Sequence, residues 1–187
     1  MKLEEERELV WKAKKNPKAF GQLYDLYYPR IFGYVYRRVA DFDIARDVTS
    51  EVFLKAFLNI HKFRWKGISI SSWFYRIATH EVNSTFRKKK YSPDSLNQLL
   101  DQVGYEMPDP SSLENEKLEI EREIKEYSDF LQIQTILSRL SVKYQEVVAL
   151  RYFEQKSIKE ICEILDKKEG TVKSLISRGL EHIRKKL

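Results

Sequence analysis

The chain has 187 residues, which is enough for one ordinary domain or two small ones. Gly and Pro are sparse, at 6 and 5 residues, and this favours helices over a turn-rich β fold. The single cysteine, Cys162, excludes a disulfide framework and a cysteine-based zinc site. Met1 is followed by the charged residues KLEEERE, and no stretch approaches the ~20 apolar residues of a membrane span. We therefore expect a cytoplasmic protein without a membrane span.

The net charge of +6 is unevenly distributed. Residues 1–90 carry 19 Lys and Arg against 10 Asp and Glu, residues 91–136 carry 3 against 11, and residues 137–187 carry 12 against 7. Two basic blocks separated by an acidic block indicate two surfaces that face a polyanion. Solvated helix faces are the plainer explanation of any single charged run.

The N-terminal block begins with two helical patterns. The first ends at Asn16-Pro17, because Pro is well placed at the start of a helix but not inside one. A long amphipathic helix then runs from about Pro17 to Val39, and Pro29 predicts a kink within it.

Two further helices complete this block. Asp41 and Asp43 can cap a third helix, and Ser71-Ser72 can cap a fourth, which ends at Phe86 and runs into four basic residues. The apolar positions of the third helix are Ala45, Val48, Val52, Phe53, Ala56, Phe57 and Ile60. Four helices of this size with short connections predict a compact bundle over residues 1–90.

An acidic, Pro-containing linker is predicted over residues 91–112, because periodicity is weak there. At ~3.3 to 3.6 Å per residue it can span up to roughly 70 Å. From Leu113 a helical stripe resumes and leads into a second domain over residues 113–187. The stripe contains Leu113, Lys117, Ile120, Ile124, Tyr127, Leu131 and Thr135. A further helix is predicted from Gln145 to Tyr152.

The segment Ser157 to Leu187 has the pattern of a helix-turn-helix. Ser157 and Glu160 form an S-x-x-E capping box before a short apolar helix, and residues 166–168 supply the turn. The second helix buries Val172, Leu175, Ile176, Leu180 and Ile183. Its remaining side chains face outward, with Lys173, Ser174, Ser177 and Arg178 as base-readout candidates and Thr171 and Lys167 as phosphate contacts. A solvent-facing helix of an ordinary bundle is the alternative.

The stretch WFYRIATHEVNSTFRKKK, Trp73 to Lys90, places aromatic and cationic side chains on one helix. Aromatic rings stack on unpaired bases, and Arg or Lys holds the backbone, so the stretch is typical of single-strand binding. Core packing is the competing explanation for each ring, and we expect it for Trp73, Phe74 and Ile77. Phe63, Trp65, Tyr75 and Phe86 remain open between the two roles.

These motifs resemble the extracytoplasmic-function, or group IV, sigma factors of bacterial RNA polymerase, in the sigma-70 family. The segment from about Phe20 to Lys90, with Ala45–Phe57 and WFYRIA at Trp73–Ala78, resembles sigma region 2. The segment from about Ile136 to Leu187, with EGTVKSLISRGLEHIRKKL, resembles region 4. The resemblance implies an all-α protein with two small helical domains, a four-helix region 2 bundle and a region 4 helix-turn-helix, joined by a linker.

The resemblance also implies roles for individual residues. The residues that would contact the β′ clamp helices of core RNA polymerase are Asp47, Ser50, Glu51, Phe53 and Lys55. The residues that would bind the nontemplate strand of the −10 element are Trp65, Tyr75, Arg76, His80, Asn83, Arg87, Lys88 and Lys89. Region 4 would read the −35 element as duplex through Lys167, Thr171, Lys173, Ser174, Ser177 and Arg178, and would touch the β flap. An anti-sigma factor is a usual partner in the family.

The sequence departs from the family pattern at several of these positions. His80 stands where Asn is usual, Ser84 where many members have Asp, and Ser50 where Gln is common. Lys168 replaces a frequent capping Ser before the recognition helix, and Leu175 replaces a frequent Arg. The promoter bases therefore do not follow from the resemblance.

The sequence thus predicts a promoter-specificity subunit that binds core polymerase, recognises the −35 and −10 elements and assists promoter melting. The alternative is a stand-alone helix-turn-helix regulator with an N-terminal sensing or dimerisation domain. An enzyme is not expected, nor is a cofactor or metal, because His61, His80 and His182 are scattered without a neighbouring carboxylate cluster.

Overall fold

The computed structural model describes residues 2–90, 132, 134–137 and 140–185. The N-terminal helices are α1 (Leu3–Ala13), α2 (Pro17–Val39), α3 (Phe42–Asn59) and α4 (Ser71–Lys90), with a 3₁₀ turn at Ile60–Lys62 after α3. The C-terminal helices are α5 (Val142–Val148), which continues as a π turn over Ala149–Phe153, α6 (Ile158–Leu165) and α7 (Glu169–Arg184). No strand occurs in the described ranges, and the predicted all-α class is confirmed.

Local contacts and backbone conformation explain where α2 begins and ends and where α3 begins. The Asn16 side chain accepts a hydrogen bond from the backbone N–H of Lys18, at 2.9 Å, and Pro17 starts α2. Helix α2 continues through Pro29 and ends at Ala40, which has a left-handed backbone with φ of 55°. Asp41 then accepts from the backbone N–H of Ile44, at 2.9 Å, and so caps α3 as predicted.

The predicted Ser71-Ser72 cap of α4 is wrong. The hydroxyl of Ser69 accepts from the backbone N–H of Ser71, at 3.1 Å, so the capping oxygen comes from two residues earlier. Ser71 and Ser72 lie inside the helix and are buried. Spacing alone did not distinguish between the three serines, because each can supply a hydroxyl to a nearby backbone N–H.

The core of the N-terminal domain forms where α2 packs between α1, α3 and α4. Tyr34, Ile31 and Phe74 are fully buried, and the Tyr34 hydroxyl hydrogen-bonds the Thr79 hydroxyl at 2.7 Å. Phe74 is therefore a core residue as expected, while Trp73 and Ile77 are half-buried against the same core. Phe57, predicted on the apolar stripe of α3, is 41% exposed, because that stripe is wider than the surface that α2 and α4 cover.

The C-terminal domain is built on close packing of α5 against α7. Gly179 permits the approach, because a Cβ there would lie 3.0 Å from Cγ2 of Val148. The helix predicted from Gln145 is present but begins earlier, at Val142. Residues 134–137 are helical, whereas the predicted linker 91–112 and the rest of the lead-in helix lie outside the described residues.

The two domains pack directly on each other. Helix α6 lies against α4, and the π turn after α5 lies against α2. The buried apolar residues of both domains form one continuous cluster. No helix in the described part of the chain is long and apolar enough to cross a membrane.

Candidate nucleic-acid interface

The helix-turn-helix has the predicted local geometry. The Ser157 hydroxyl accepts from the backbone N–H of Glu160 at 3.2 Å, and the Glu160 carboxylate accepts from the backbone N–H of Ser157 at 2.9 Å. The capping box is thus confirmed. Asp166, with φ of 53°, ends α6 in the left-handed conformation and turns the chain toward α7.

The exposed face of α7 brings the predicted duplex contacts together. Val172, Ile176 and Gly179 face the core and are buried. The other side exposes Thr171, Lys173, Ser174, Ser177 and Arg178, and Lys167 is half-buried in the preceding turn. Hydroxyl and cationic side chains on one face of an accessible helix can hydrogen-bond base edges and phosphates in the major groove.

The N-terminal end of α7 has no side-chain cap. Lys168 occupies the N-cap position and makes no side-chain capping hydrogen bond, as its departure from the family pattern predicted. Lys173 lies 2.5 Å from Glu169, and this hydrogen bond raises the pKa of Lys173 and lowers the pKa of Glu169. Leu175 is half-buried and packs against the core, so it supports the helix rather than facing DNA.

The predicted strand-binding residues of α4 differ in accessibility. Arg76, His80, Arg87 and Lys88 are exposed, whereas the side chain of Lys89 lies outside the described part of the chain. Tyr75 is only 2% exposed, and its hydroxyl donates to the carboxylate of Glu154 in the C-terminal domain. Burial, followed by the charge of Glu154, raises the pKa of Tyr75, so the phenol stays protonated.

Asn83 is half-buried in a polar network between the domains. Its amide oxygen accepts from Arg38 at 2.8 Å, and its amide nitrogen donates to Glu146 at 3.1 Å. Arg38 itself is 3% exposed, and its Nε donates to Gln145 at 3.0 Å. This network was not predicted, because Arg38 and Gln145 are 107 residues apart in the chain.

A basic cleft of about 250 Å³ lies between the loop before α4 and helix α6. Its walls include Lys62, Arg64, Lys66, Trp73, Arg76 and Glu163. Arg76 was predicted as a strand contact, whereas Lys62, Arg64 and Lys66 were not. The run KFRWK, which interleaves cations with aromatic rings, was the signal that could have identified them.

The aromatic residues that the sequence left open are half-buried or buried. Phe63 packs between Trp73, with ring centroids 5.1 Å apart, and Trp65, with centroids 6.4 Å apart. Phe86 is half-buried beneath the Arg38 guanidinium, at 5.9 Å. Tyr75 packs edge-on against Tyr34 at 5.2 Å. Trp65 thus stays partly accessible, while Tyr75 is enclosed.

The predicted polymerase contacts on α3 lie on its outer face, with one exception. Asp47 and Ser50 are exposed. Lys55 pairs with Glu81 at 2.8 Å and with Glu51 at 3.1 Å, and the hydrogen bond to Glu81 is the main cause that raises the pKa of Lys55.

Phe53 is the exception and requires a correction. It is 3% exposed and packs against Phe74 at 5.2 Å and Tyr24 at 4.9 Å, so its side chain lies in the core of the bundle and not on the outer face of α3. Exposed apolar side chains lie nearby on the same helix, namely Leu54, Phe57 and Leu58 at 51%, 41% and 58%. This patch was not predicted, because Phe57 was placed on the apolar stripe of α3 and Leu54 and Leu58 were given no role.

Among the described residues, no group of three His, Cys, Asp or Glu side chains is arranged to hold a metal ion.

Comparison with known proteins places both halves of the chain. Residues 23–91 match the family model for Sigma-70 region 2, and residues 130–183 match that for Sigma-70, region 4. The ECF RNA polymerase sigma factor SigW of Bacillus subtilis (strain 168) is 34% identical over 174 residues, which are 93% of this chain and 91% of SigW. The ECF RNA polymerase sigma-E factor of Haemophilus influenzae is 30% identical over 177 residues, 92% of this chain and 89% of that protein.

Two solved structures share the fold. CnrH, in complex with the cytosolic domain of CnrY, has a TM-score of 0.67 at 17% identity and covers 96% of this chain and 94% of CnrH. The sigma factor RpoE of Bartonella quintana, in complex with the anti-sigma factor NepR, has a TM-score of 0.64 at 20% identity and covers 90% of this chain and 96% of RpoE. The predicted resemblance is confirmed: the chain belongs to the extracytoplasmic-function (ECF) sigma factors of the sigma-70 family.

Proposed function

We propose that this sigma factor directs core RNA polymerase to promoters through three separate surfaces. The exposed face of α7 reads the −35 element as duplex, the α4 face and its preceding loop hold the −10 nontemplate strand, and α3 docks on the polymerase. The observation that carries the proposal is the presence, in one chain, of a helix-turn-helix with an open polar and cationic face and an aromatic, basic helix.

The −35 assignment is supported by the geometry of α7. Lys173, Ser174, Ser177 and Arg178 are exposed on a helix whose opposite side is buried in the domain. A helix held in this way can enter the major groove with its N-terminal half, and the cations add sequence-independent affinity. Lys167 and Thr171, close to the start of the helix, are suited to phosphate contacts.

The −10 assignment is supported by the basic cleft and the rings beside it. Lys62, Arg64 and Lys66 supply charge for the phosphates, and Trp65 and Trp73 supply rings for unpaired bases. Unstacking costs a few kcal/mol per step, and base–aromatic stacking of about 1–3 kcal/mol per base offsets it. We therefore propose that the chain assists melting by capturing the separated strand.

The polymerase contact is supported by the mixed surface of α3. Asp47 and Ser50 are exposed beside the apolar side chains of Leu54, Phe57 and Leu58. An apolar centre with charged surroundings is the usual composition of a protein interface. We place the β′ clamp helices on this surface, and the β flap on the C-terminal domain. Catalysis and its metal ions belong, in this proposal, to the polymerase.

An anti-sigma factor is part of the proposal. CnrH was solved with the cytosolic domain of CnrY, and RpoE of Bartonella quintana with the anti-sigma factor NepR. Both share the fold of this chain, which supports a partner of the same kind here. The stand-alone regulator is not favoured, because the N-terminal domain matches sigma region 2 rather than a sensing or dimerisation domain.

Transcription with purified components tests the proposal. The full chain is added to core RNA polymerase with a panel of promoter templates, and run-off transcripts are compared with those of core polymerase alone. Promoter-specific transcripts that depend on the chain are expected. A chain that neither binds core polymerase nor changes transcription would contradict the proposal.

A further inference from the structure

Helix α1 presents an aromatic side chain between cations on its exposed side. Arg7, Trp11 and Lys14 have the i, i+4, i+7 spacing that places side chains on one side of a helix. All three are exposed, whereas the core-facing side of α1 is buried. Lys15 belongs to the same surface, because its amine lies 4.4 Å from the centre of the Trp11 ring. We call Arg7, Trp11, Lys14 and Lys15 the α1 flank.

The α1 flank adjoins the loop that lines the basic cleft. The amine of Lys14 donates a hydrogen bond to the backbone carbonyl of Phe63, at 2.6 Å. At the other end of the loop, Glu6 accepts from the Ser69 hydroxyl and from the backbone N–H of Ile70. Because α1 holds both ends of the loop, the α1 flank and the basic cleft form one continuous surface.

The Trp11 ring is accessible to a ligand, since the residue is 60% exposed. A single exposed apolar side chain is common on protein surfaces and needs no partner. A ring beside cations, next to a loop that also interleaves rings with cations, is the arrangement that binds single-stranded nucleic acid. Lys15 already lies beside the ring, so a base that stacks on Trp11 brings its phosphate within reach of that amine.

The cations of the α1 flank are available for phosphates. Glu4 lies 4.0 Å from Arg7, but their side chains are 85% and 63% exposed, and an ion pair this exposed is weak. Lys14 uses one of its three ammonium donors on the loop carbonyl. On the other side of α1, Lys12 is paired with Glu8 at 2.7 Å. The two sides of the helix therefore differ, and the side that adjoins the loop is the one suited to a polyanion.

We infer that the α1 flank binds single-stranded promoter DNA next to the −10 nucleotides, with Trp11 stacked on an unpaired base and Arg7, Lys14 and Lys15 on the phosphates. The inference rests on the proposed function, because it extends the strand path of the basic cleft. From Arg7 to Lys15 the flank is about 12 Å long at 1.5 Å per residue, so the extension is short. Duplex DNA does not fit this surface, because its bases are stacked on each other and present no free face to the ring.

Site-specific photocrosslinking in the holoenzyme tests the contact. The photoreactive amino acid p-benzoylphenylalanine replaces Trp11, and the chain is assembled with core RNA polymerase on a promoter that supports run-off transcription. Primer extension then maps the crosslinked nucleotides on the nontemplate strand. We expect crosslinks to unpaired nucleotides that adjoin the −10 element. The matched control carries the same amino acid in place of Lys12, which is exposed on the other side of α1, and should give no such crosslink.

Substitutions on the α1 flank measure its contribution to binding. Holoenzyme is titrated by anisotropy against the same promoter with a preformed bubble. Trp11→Ala should weaken binding about fivefold or more, the loss of one base–aromatic stack, and Trp11→Phe should recover most of it. Lys15→Ala should reduce the magnitude of the slope of log K against log[salt] by about 0.7, the value for one single-strand phosphate. Lys12→Ala is the matched control and should change neither quantity.

Three results would overturn the inference. The first is a crosslink from position 11 to a polymerase subunit and not to DNA. The second is binding of the bubble template by Trp11→Ala and Lys15→Ala as tight and as salt-dependent as that of the parent chain. The third is an equal loss of affinity for core polymerase in these variants, which would make the α1 flank a protein contact.

The proposed function fails separately, when the parent chain does not direct promoter-specific transcription, and the inference then fails with it. Normal transcription with neither a DNA crosslink nor a change in the salt slope overturns the α1 contact alone.

Discussion

The buried carboxylate of Glu6 is predicted to stabilise the N-terminal domain by joining three elements. Glu6 is 4% exposed and accepts from the Tyr27 hydroxyl at 2.8 Å, the Ser69 hydroxyl at 2.7 Å and the backbone N–H of Ile70 at 2.8 Å. It thereby fixes α1 to α2 and to the residues that start α4. The same carboxylate also anchors the C-terminal end of the loop that lines the basic cleft.

The substitution Glu6→Ala removes the acceptor of all three donors. Each buried donor left without a partner costs about 1–3 kcal/mol, so the three donors together should cost at least about 3 kcal/mol. A chain of this length loses roughly 2–4 °C of midpoint temperature per kcal/mol, so we expect a decrease of at least roughly 6 °C. Thermal unfolding followed by circular dichroism at 222 nm, a wavelength that reports helix, measures it.

Three further variants isolate the cause. Glu6→Gln keeps one acceptor oxygen and should lose less stability than Glu6→Ala. Tyr27→Phe removes a single hydrogen bond and should cost about 1 kcal/mol. Glu8→Ala alters an exposed ion pair on the same helix and should leave the midpoint nearly unchanged. A Glu6→Ala midpoint equal to that of Glu8→Ala would refute the reasoning that burial makes the Glu6 contacts stabilising.

Three other predictions concern the proposed interfaces and the capping box. Arg178→Ala should weaken binding of a −35 duplex by about 1–3 kcal/mol in anisotropy titrations. Arg184→Ala, at an exposed position beyond the proposed contacts, is the control. If Arg178→Ala leaves duplex binding unchanged, Arg178 does not read the −35 element. Asp47→Lys should weaken core polymerase binding more than duplex binding, and an equal loss in both would contradict its assignment to the α3 surface. Burial alone would raise the pKa of Glu160, but hydrogen bonds from Ser157 and the charge of Lys156 together lower it. The stabilising effect of the ionised Glu160 carboxylate is therefore present at neutral pH and lost as pH falls through the folded-state pKa. The midpoints of the parent chain and Glu160→Gln should converge as the pH is lowered into the range where this carboxylate becomes protonated. A constant difference across that range would show that the charge of Glu160 is not what stabilises α6.

Features that depend on neighbours in the chain were predictable. The Ser157–Glu160 capping box and the Asp41 cap of α3 were identified because their donors and acceptors lie within three residues. The apolar period of α7 likewise predicted which side would face outward, and Val172 and Ile176 are buried. The predicted cap of α4 was wrong because Ser69, as well as Ser71 and Ser72, lies close enough to accept a hydrogen bond from a backbone N–H at the start of the helix.

Burial on α3 was less predictable, because the helix is apolar around much of its circumference. Phe53 and Phe57 are one helical turn apart, yet the first is 3% exposed and the second 41%. Phe53 is enclosed by Tyr24 and Phe74 from two other helices, and that depends on where those helices cross. Apolar periodicity predicts which face of a helix is buried. How much of that face a neighbouring helix covers depends on the packing of the bundle.

The sequence by itself determined the class of fold, the helix-turn-helix and the aromatic, basic helix, because helical periodicity and capping are encoded over a few residues. Only the tertiary structure decided how the two domains meet. Glu154 joins Arg37 and Tyr75, which lie 117 and 79 residues away in the chain, and no spacing rule connects them. Their pairing depends on the packing of the C-terminal domain against α2 and α4, which buries Tyr75 on a helix that has a DNA-binding pattern.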